Sequence, residues 1–113
     1  MPKRNLTSRQ CADVLRAIAD ETRLLIIESL LAREKCVSAL VQETRRRQPH
    51  VSHHLRILRD AGLVEGLRDG KRICYRVSPR LQRALKQSRR RALDLGCCLI
   101  SFPQSILNPA SRE

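Results

Sequence analysis

Aromatic residues are nearly missing: Tyr75 and Phe102 stand alone and there is no tryptophan. Any core must therefore be built from Leu, Ile, Val and Ala, a composition that suits packed helices. Base stacking on single-stranded nucleic acid needs interleaved aromatic platforms, so that class of ligand is disfavoured. Acids are also scarce, 11 against 23 Lys plus Arg, for a formal net charge of +12 on 113 residues. Charge of that size on a small chain implies a polyanionic partner, and duplex DNA fits better than a single strand. No apolar run approaches the length of a membrane span, and the start of the chain has no signal-peptide core. The expected location is cytoplasmic. Five cysteines there, an odd number, are expected to be reduced thiols rather than a disulfide framework. The chain carries no nucleophile-base arrangement, phosphate-cradling glycine loop, Cys-x-x-Cys or complete metal motif. A small helical domain also has little room for a cleft, so the expectation is not an enzyme.

The most informative stretch runs from Gln48 to Val64. Val51, Leu55 and Leu58 recur at helical spacing and form one narrow apolar stripe. The opposite arc carries Ser52, His53, Arg56 and Arg59, with Gln48 and His50 at the helix start. Each of these side chains can hydrogen-bond a base edge or a phosphate. Pro49 falls where a first helical turn tolerates it, and Gly62 ends the helix. An ordinary amphipathic surface helix mixes both charge signs, whereas Asp60 is the only acid between Gln48 and Val64. Such a helix is what a helix-turn-helix inserts into the major groove.

The rest of the chain supplies the scaffold. Thr7-Ser8-Arg9-Gln10 reads as a capping box, with Leu6 and Cys11 as its hydrophobic staple. A first helix follows to about Ala19, and Asp20 caps a second, whose buried face is Leu24, Ile27 and Leu31 joined by Leu25 and Leu30. A short third helix starts near Cys36 and packs through Val37, Leu40 and Val41; Thr44 to Arg47 form the turn. Beyond Val64 the period changes, and Ile73, Tyr75 and Val77 alternate with Arg72, Cys74 and Arg76 as the buried face of a strand. Asp69-Gly70 is the favoured two-residue hairpin turn, with Arg68, Lys71 and Arg72 around its tip. A basic hairpin behind a recognition helix is a wing. A last helix is expected from about Pro79 to Leu95, stopped by Gly96. The fold class is thus mostly α with a small β-hairpin, a winged helix-turn-helix in the order α-α-α-α-β-β-α. Its domain covers residues 1–96, and an irregular tail covers 97–113. The candidate DNA-binding residues are Gln48, His50, Ser52, His53, Arg56, Arg68, Lys71 and Arg72.

From Leu15 to about Pro79 the chain resembles the ArsR/SmtB family of winged-helix repressors. The resemblance is carried by Leu15 to Leu24, by Val51-Ser52-His53-His54-Leu55, by Leu58 to Val64, and by Asp69-Gly70-Lys71 with Tyr75. It implies a homodimer joined through first and last helices, and a repressor that leaves its operator when an inducer binds. Independently, two-fold pairing would match a palindromic site, and the outer helices carry apolar stripes that one small domain does not fully bury. Three departures matter. The family's arsenic sensors open the third helix with clustered cysteines, but here only Cys36 is present, with Ser38 and Val41 in the other places. Zinc sensors of the family place carboxylates and histidines on the last helix, which here offers only Asp94. Arg45-Arg46-Arg47 replaces the usual Gly-apolar-Ser/Thr turn, losing a cap at Arg47 but adding charge near the phosphates.

Soft ions such as trivalent arsenic, cadmium or mercury prefer thiolates. The vicinal pair Cys97-Cys98 supplies two, and Cys11 of the partner subunit is assigned as the third, because first and last helices should meet across a dimer. Cys36 with Cys11 of the partner subunit is a weaker second geometry. Cys74 has no obvious partner and reads as a small buried hydrophobe. A thiol redox or persulfide-responsive repressor is the alternative. From another class, a non-specific architectural DNA-binding protein also fits the charge, and would differ in salt and competitor dependence.

Overall fold

The structure is a computed structural model and describes residues 7–79, 81–82, 92–94 and 98–101. Helix α1 (Ser8–Ile18) opens with the expected capping box: Thr7 accepts from the Gln10 N–H and the Gln10 side chain accepts from the Thr7 N–H. Leu6, the other half of the proposed staple, lies outside the described residues. Asp20 caps helix α2 (Glu21–Ala32) by accepting from the Arg23 N–H at 3.2 Å. A two-residue strand β1 (Lys35–Cys36) then leads into α3 (Val37–Thr44), and the turn delivers α4 (Gln48–Asp60). Strands β2 (Val64–Asp69) and β3 (Arg72–Val77) form the hairpin. All pairings are antiparallel, and β3 lies in the centre of the order β1-β3-β2.

The core is aliphatic. Val51, Leu55 and Leu58 of α4 are fully buried against Ile26, Ile27 and Leu30 of α2, Leu40 of α3, Leu63 and Leu81. The buried arc of α2 is wider than its sequence stripe, because this helix packs on α1, α3, α4 and β3 at once. Ile26 is fully buried, while Leu24, Leu25 and Leu31 are only half-buried. Ser29 on that arc donates to Glu43 at 2.5 Å and accepts from Lys35 at 2.9 Å. Lys35 also pairs with Glu43 at 2.8 Å, which fixes β1 against α3. Burial raises the Glu43 carboxyl, but hydrogen bonds from Lys35 and Ser29 and their charge environment outweigh it and hold the pKa below the usual value.

Helix α4 ends as glycine dictates. Gly62 has φ +76°, its N–H donates to Arg59 O at 2.9 Å, and the Leu63 N–H donates to Leu58 O at 3.0 Å. This double closure is a Schellman motif, and buried Leu63 supplies its apolar contact.

Four expectations are corrected. The hairpin turn is Gly70-Lys71, with Asp69 opposite Arg72 in the ladder, and only Gly70 has positive φ (+65°). The turn therefore matches the two-residue type that needs glycine first, not Asp-Gly. Val77 is buried as expected, but at the other end of β3 Ile73 is exposed and Cys74 is buried, against the expected alternation, because β1 pairs beside Cys74. The last helix begins at Pro79, with the Ser78 hydroxyl accepting from the Leu81 N–H; residues 83–91 and the proposed stop at Gly96 lie outside the described residues, and Ala92–Asp94 is a strand, β4. It pairs antiparallel with β5 (Leu99–Ser101), inside the segment expected to be irregular. Finally, Cys36 and Cys74 stand opposite each other in the β1–β3 ladder and are joined by a disulfide, where reduced thiols were expected. Cys11 is also disulfide-bonded.

Candidate nucleic-acid interface

The apolar stripe of α4 faces inward, which turns most of the remaining positions of its N-terminal half to solvent. Gln48, His50, Ser52, His53 and Arg56 are all exposed, and so is Arg59 one turn further on. The helix starts without a side-chain cap: Arg47 occupies the N-cap with extended backbone (φ −68°, ψ 152°) and offers no acceptor. Arg68, Lys71 and Arg72 are exposed at the wing tip. Arg72 pairs with Asp69 at 3.5 Å, an exposed contact of little strength, so its guanidinium remains available to a stronger anion. Arg76 is held on the wing's flank by Glu65 at 3.0 Å.

Two anchors set the pose of the reading helix. At one end, Arg46 turns inward: its Nε donates to Thr22 Oγ1 at 3.1 Å and its Nη1 to Thr44 O at 3.1 Å, with Glu21 at 3.6 Å. Arg46 thus joins the turn to the start of α2. At the other anchor, Arg23 donates through Nε to Ala17 O at 2.5 Å and reaches His54 Nδ1 at 2.9 Å. A guanidinium can only donate, so Nδ1 accepts and the imidazole is neutral, with its proton on Nε2. Desolvation is the main cause that lowers the His54 pKa below 6.5; nearby Asp20 opposes it, while Arg23, His53 and His50 add to it. Burial raises the Asp20 carboxyl, but the Arg23 N–H, His54 and the Arg23 charge outweigh that and leave its pKa below 3.8. Sequence reading placed His54 on neither face. Its partner is 31 residues away, and local spacing carries no signal for such a pair.

Cys98 is a half-buried thiol packed against the core, and Cys97 lies outside the described residues. Cys11 and Cys36 are both in disulfides, and Cys36 has Cys74 as its partner. Among the described residues no group of three or more His, Cys, Asp or Glu side chains could hold a metal ion. Among the same residues no helix is long and apolar enough to cross a membrane.

Residues 20–66, from the cap of α2 to the first residues of the wing, match the bacterial regulatory protein arsR family. The chain is 38% identical over 92 residues to a protein of Streptomyces lividans named "Probable mercury resistance operon repressor", covering 77% of this chain and 74% of that one. The chain belongs to the ArsR family. It is also 41% identical over 66 residues to the transcriptional repressor SmtB of Mycobacterium tuberculosis, covering 58% of this chain but only about half (49%) of that repressor's length. Among solved structures, the homodimeric winged helix-turn-helix DNA-binding domain Mb0332 from Mycobacterium bovis superposes with TM-score 0.59 at 32% identity, over 67% of this chain and 76% of that one. These relatives are transcriptional regulators, and the winged helix-turn-helix is the shared fold.

Proposed function

We propose that the protein is a homodimeric, sequence-specific repressor of transcription that acts in the cytoplasm and is released from its operator by a thiol-binding inducer. The observation that carries the DNA-reading part is the exposed, almost acid-free arc of α4, with Gln48, His50, Ser52, His53 and Arg56 presented together and Arg68, Lys71 and Arg72 on the wing. The helix enters the major groove and the wing grips the flanking backbone. Dimerisation is supported by the homodimeric relative and by Leu15, which is exposed on α1 although it is a large aliphatic residue. Two reading helices related by a two-fold axis suit a palindromic operator. Ser52→Ala or His53→Ala is expected to weaken the cognate operator by about 1–3 kcal/mol and random DNA far less. Equal losses on both would reduce these residues to backbone contacts.

For the inducer, the proposal is a soft ion, trivalent arsenic or a similar thiophile, held by Cys97 and Cys98 with Cys11 of the partner subunit. The names of two relatives, a mercury resistance repressor and the arsenical resistance operon repressor of Escherichia coli, support that chemistry. Because Cys11 is disulfide-bonded, it contributes a thiolate only once reduced. The Cys36–Cys74 disulfide favours a second reading, in which thiol oxidation is itself the signal. The deciding experiment releases the reduced protein from its own upstream region with arsenite, mercury, cadmium or peroxide. A Cys97→Ser/Cys98→Ser variant that still lets go at the wild-type arsenite, cadmium and mercury concentrations removes the vicinal-pair assignment. Release by peroxide alone selects the redox reading.

A further inference from the structure

The turn between α3 and α4 breaks two local rules within three residues. Arg45 ends α3 in the left-handed region (φ 59°, ψ 33°), where its N–H closes on Val41 O at 2.9 Å. It is the only non-glycine residue with positive φ among the described residues. Glycine or asparagine is the favoured occupant there, since any Cβ brings steric strain. Arg47 then fills the N-cap of α4, where Ser, Thr, Asp or Asn would satisfy an orphan N–H and arginine cannot. Each violation lowers stability, and both retain the same side chain. Between them, Arg46 folds inward onto Thr22, Thr44 and Glu21. Its neighbours are exposed, and neither makes a side-chain hydrogen bond or ion pair.

We infer that Arg45 and Arg47 are backbone-phosphate contacts, kept at stability's expense, with Arg46 as the tether that holds the turn. The strain at Arg45 and the missing cap at Arg47 leave two unpaired guanidinium groups on the turn that leads into the reading helix. A guanidinium offers a planar fork of donors that matches a phosphate bidentately, and no residue suited to either backbone position could do so. Local-rule violations that cluster at one exposed place are characteristic of a functional site. The inference rests on the DNA-binding reading above and extends the interface to the element before α4.

The test uses Arg45→Gly and Arg47→Ser in the full chain, measured on a random-sequence duplex and on the protein's own upstream region over a range of salt. Each variant is expected to melt a few degrees higher than wild type, because it restores the residue that the backbone prefers. Each is also expected to lose affinity several-fold on both DNAs and to flatten the salt dependence by about one ion, as loss of a phosphate contact requires. Arg45→Lys keeps the charge and the strain, so it should retain most of the salt slope without the rise in melting temperature. Variants that gain stability but bind with the wild-type slope would overturn the assignment while leaving the DNA-binding reading intact. A wild-type protein that binds no duplex at all would remove that reading itself.

Discussion

Arg23 and His54, 31 residues apart, meet at 2.9 Å and join the start of α2 to the middle of the reading helix. Because arginine only donates, the bond exists only while His54 is neutral. His54 therefore couples the pose of α4 to pH. Its folded pKa lies below its ordinary 6.5, mainly through desolvation. A depressed pKa means the unfolded chain takes up the proton first, so this contribution is complete above 6.5 and is lost as pH falls through the folded value. Asp20, also depressed, acts in a separate window below 3.8. Denaturant midpoints measured between pH 7.5 and 5.5 should fall for wild type and fall distinctly less for His54→Asn, whose amide oxygen can replace Nδ1 without titrating. Parallel slopes would show that the Arg23 contact does not govern the titration.

The Cys36–Cys74 disulfide spans 38 residues and joins the N-cap of α3 to the central strand of the wing. Closing a loop of that length is worth at most about 4 kcal/mol by chain entropy. Cys36→Ser/Cys74→Ser should therefore melt well below wild type without reductant, and the two should converge when reductant is added. Comparing the difference cancels any contribution from Cys11, which both proteins keep. Equal melting temperatures without reductant would mean that the bond does not form in solution.

What was legible in the sequence was local. Thr7 with Gln10, Asp20 before Glu21, Pro49 in a first turn and Gly62 at a helix end all act within a few residues, and each sits where it was expected. The stripe of Val51, Leu55 and Leu58 survives because a single helical period decides it. The long-range features were not legible. Strand β1 is two residues long and exists only because β3 lies beside it, so neither the burial of Cys74 nor its partner could be read from alternation. Likewise, the helix expected to run to Leu95 could not be told from a strand at Ala92–Asp94, whose pairing partner, Leu99–Ser101, lies beyond the expected helix end. Of the candidate site, exposure of the α4 arc and wing tip was legible. The division of labour among three consecutive arginines was not, since Arg46 turns inward only because Thr22 is there to receive it.

The wing offers a graded test. Lys71 stands in the hairpin turn, whereas Arg72 shares its charge with Asp69 at 3.5 Å. Lys71→Ala should lower the salt slope of DNA binding by about one. Arg72→Ala should lower it by less, because Asp69 already offsets part of the Arg72 charge in wild type. Titrations on random duplex at several salt concentrations measure both, and unchanged slopes in both variants would mean the wing does not touch DNA.

Gly62 and Leu55 separate conformational strain from packing within one helix. A Cβ at Gly62 would meet nothing within 4 Å, so Gly62→Ala carries no clash and suffers only from φ +76°. That conformation costs a non-glycine residue about 1–2 kcal/mol. Leu55 has no exposed surface and sits in the shared core of the helices, so Leu55→Ala removes buried methyl groups and leaves a cavity, for about 2–5 kcal/mol. Urea unfolding should therefore rank Leu55→Ala as the more damaging, with Gly62→Ala still folded and still binding DNA, since its change lies at the end of α4 away from the exposed N-terminal arc. A Gly62→Ala protein destabilised as much as Leu55→Ala would show that the Schellman closure fixes more than the helix end: it would place the register of the wing, which starts two residues later at Val64, under the control of that one glycine.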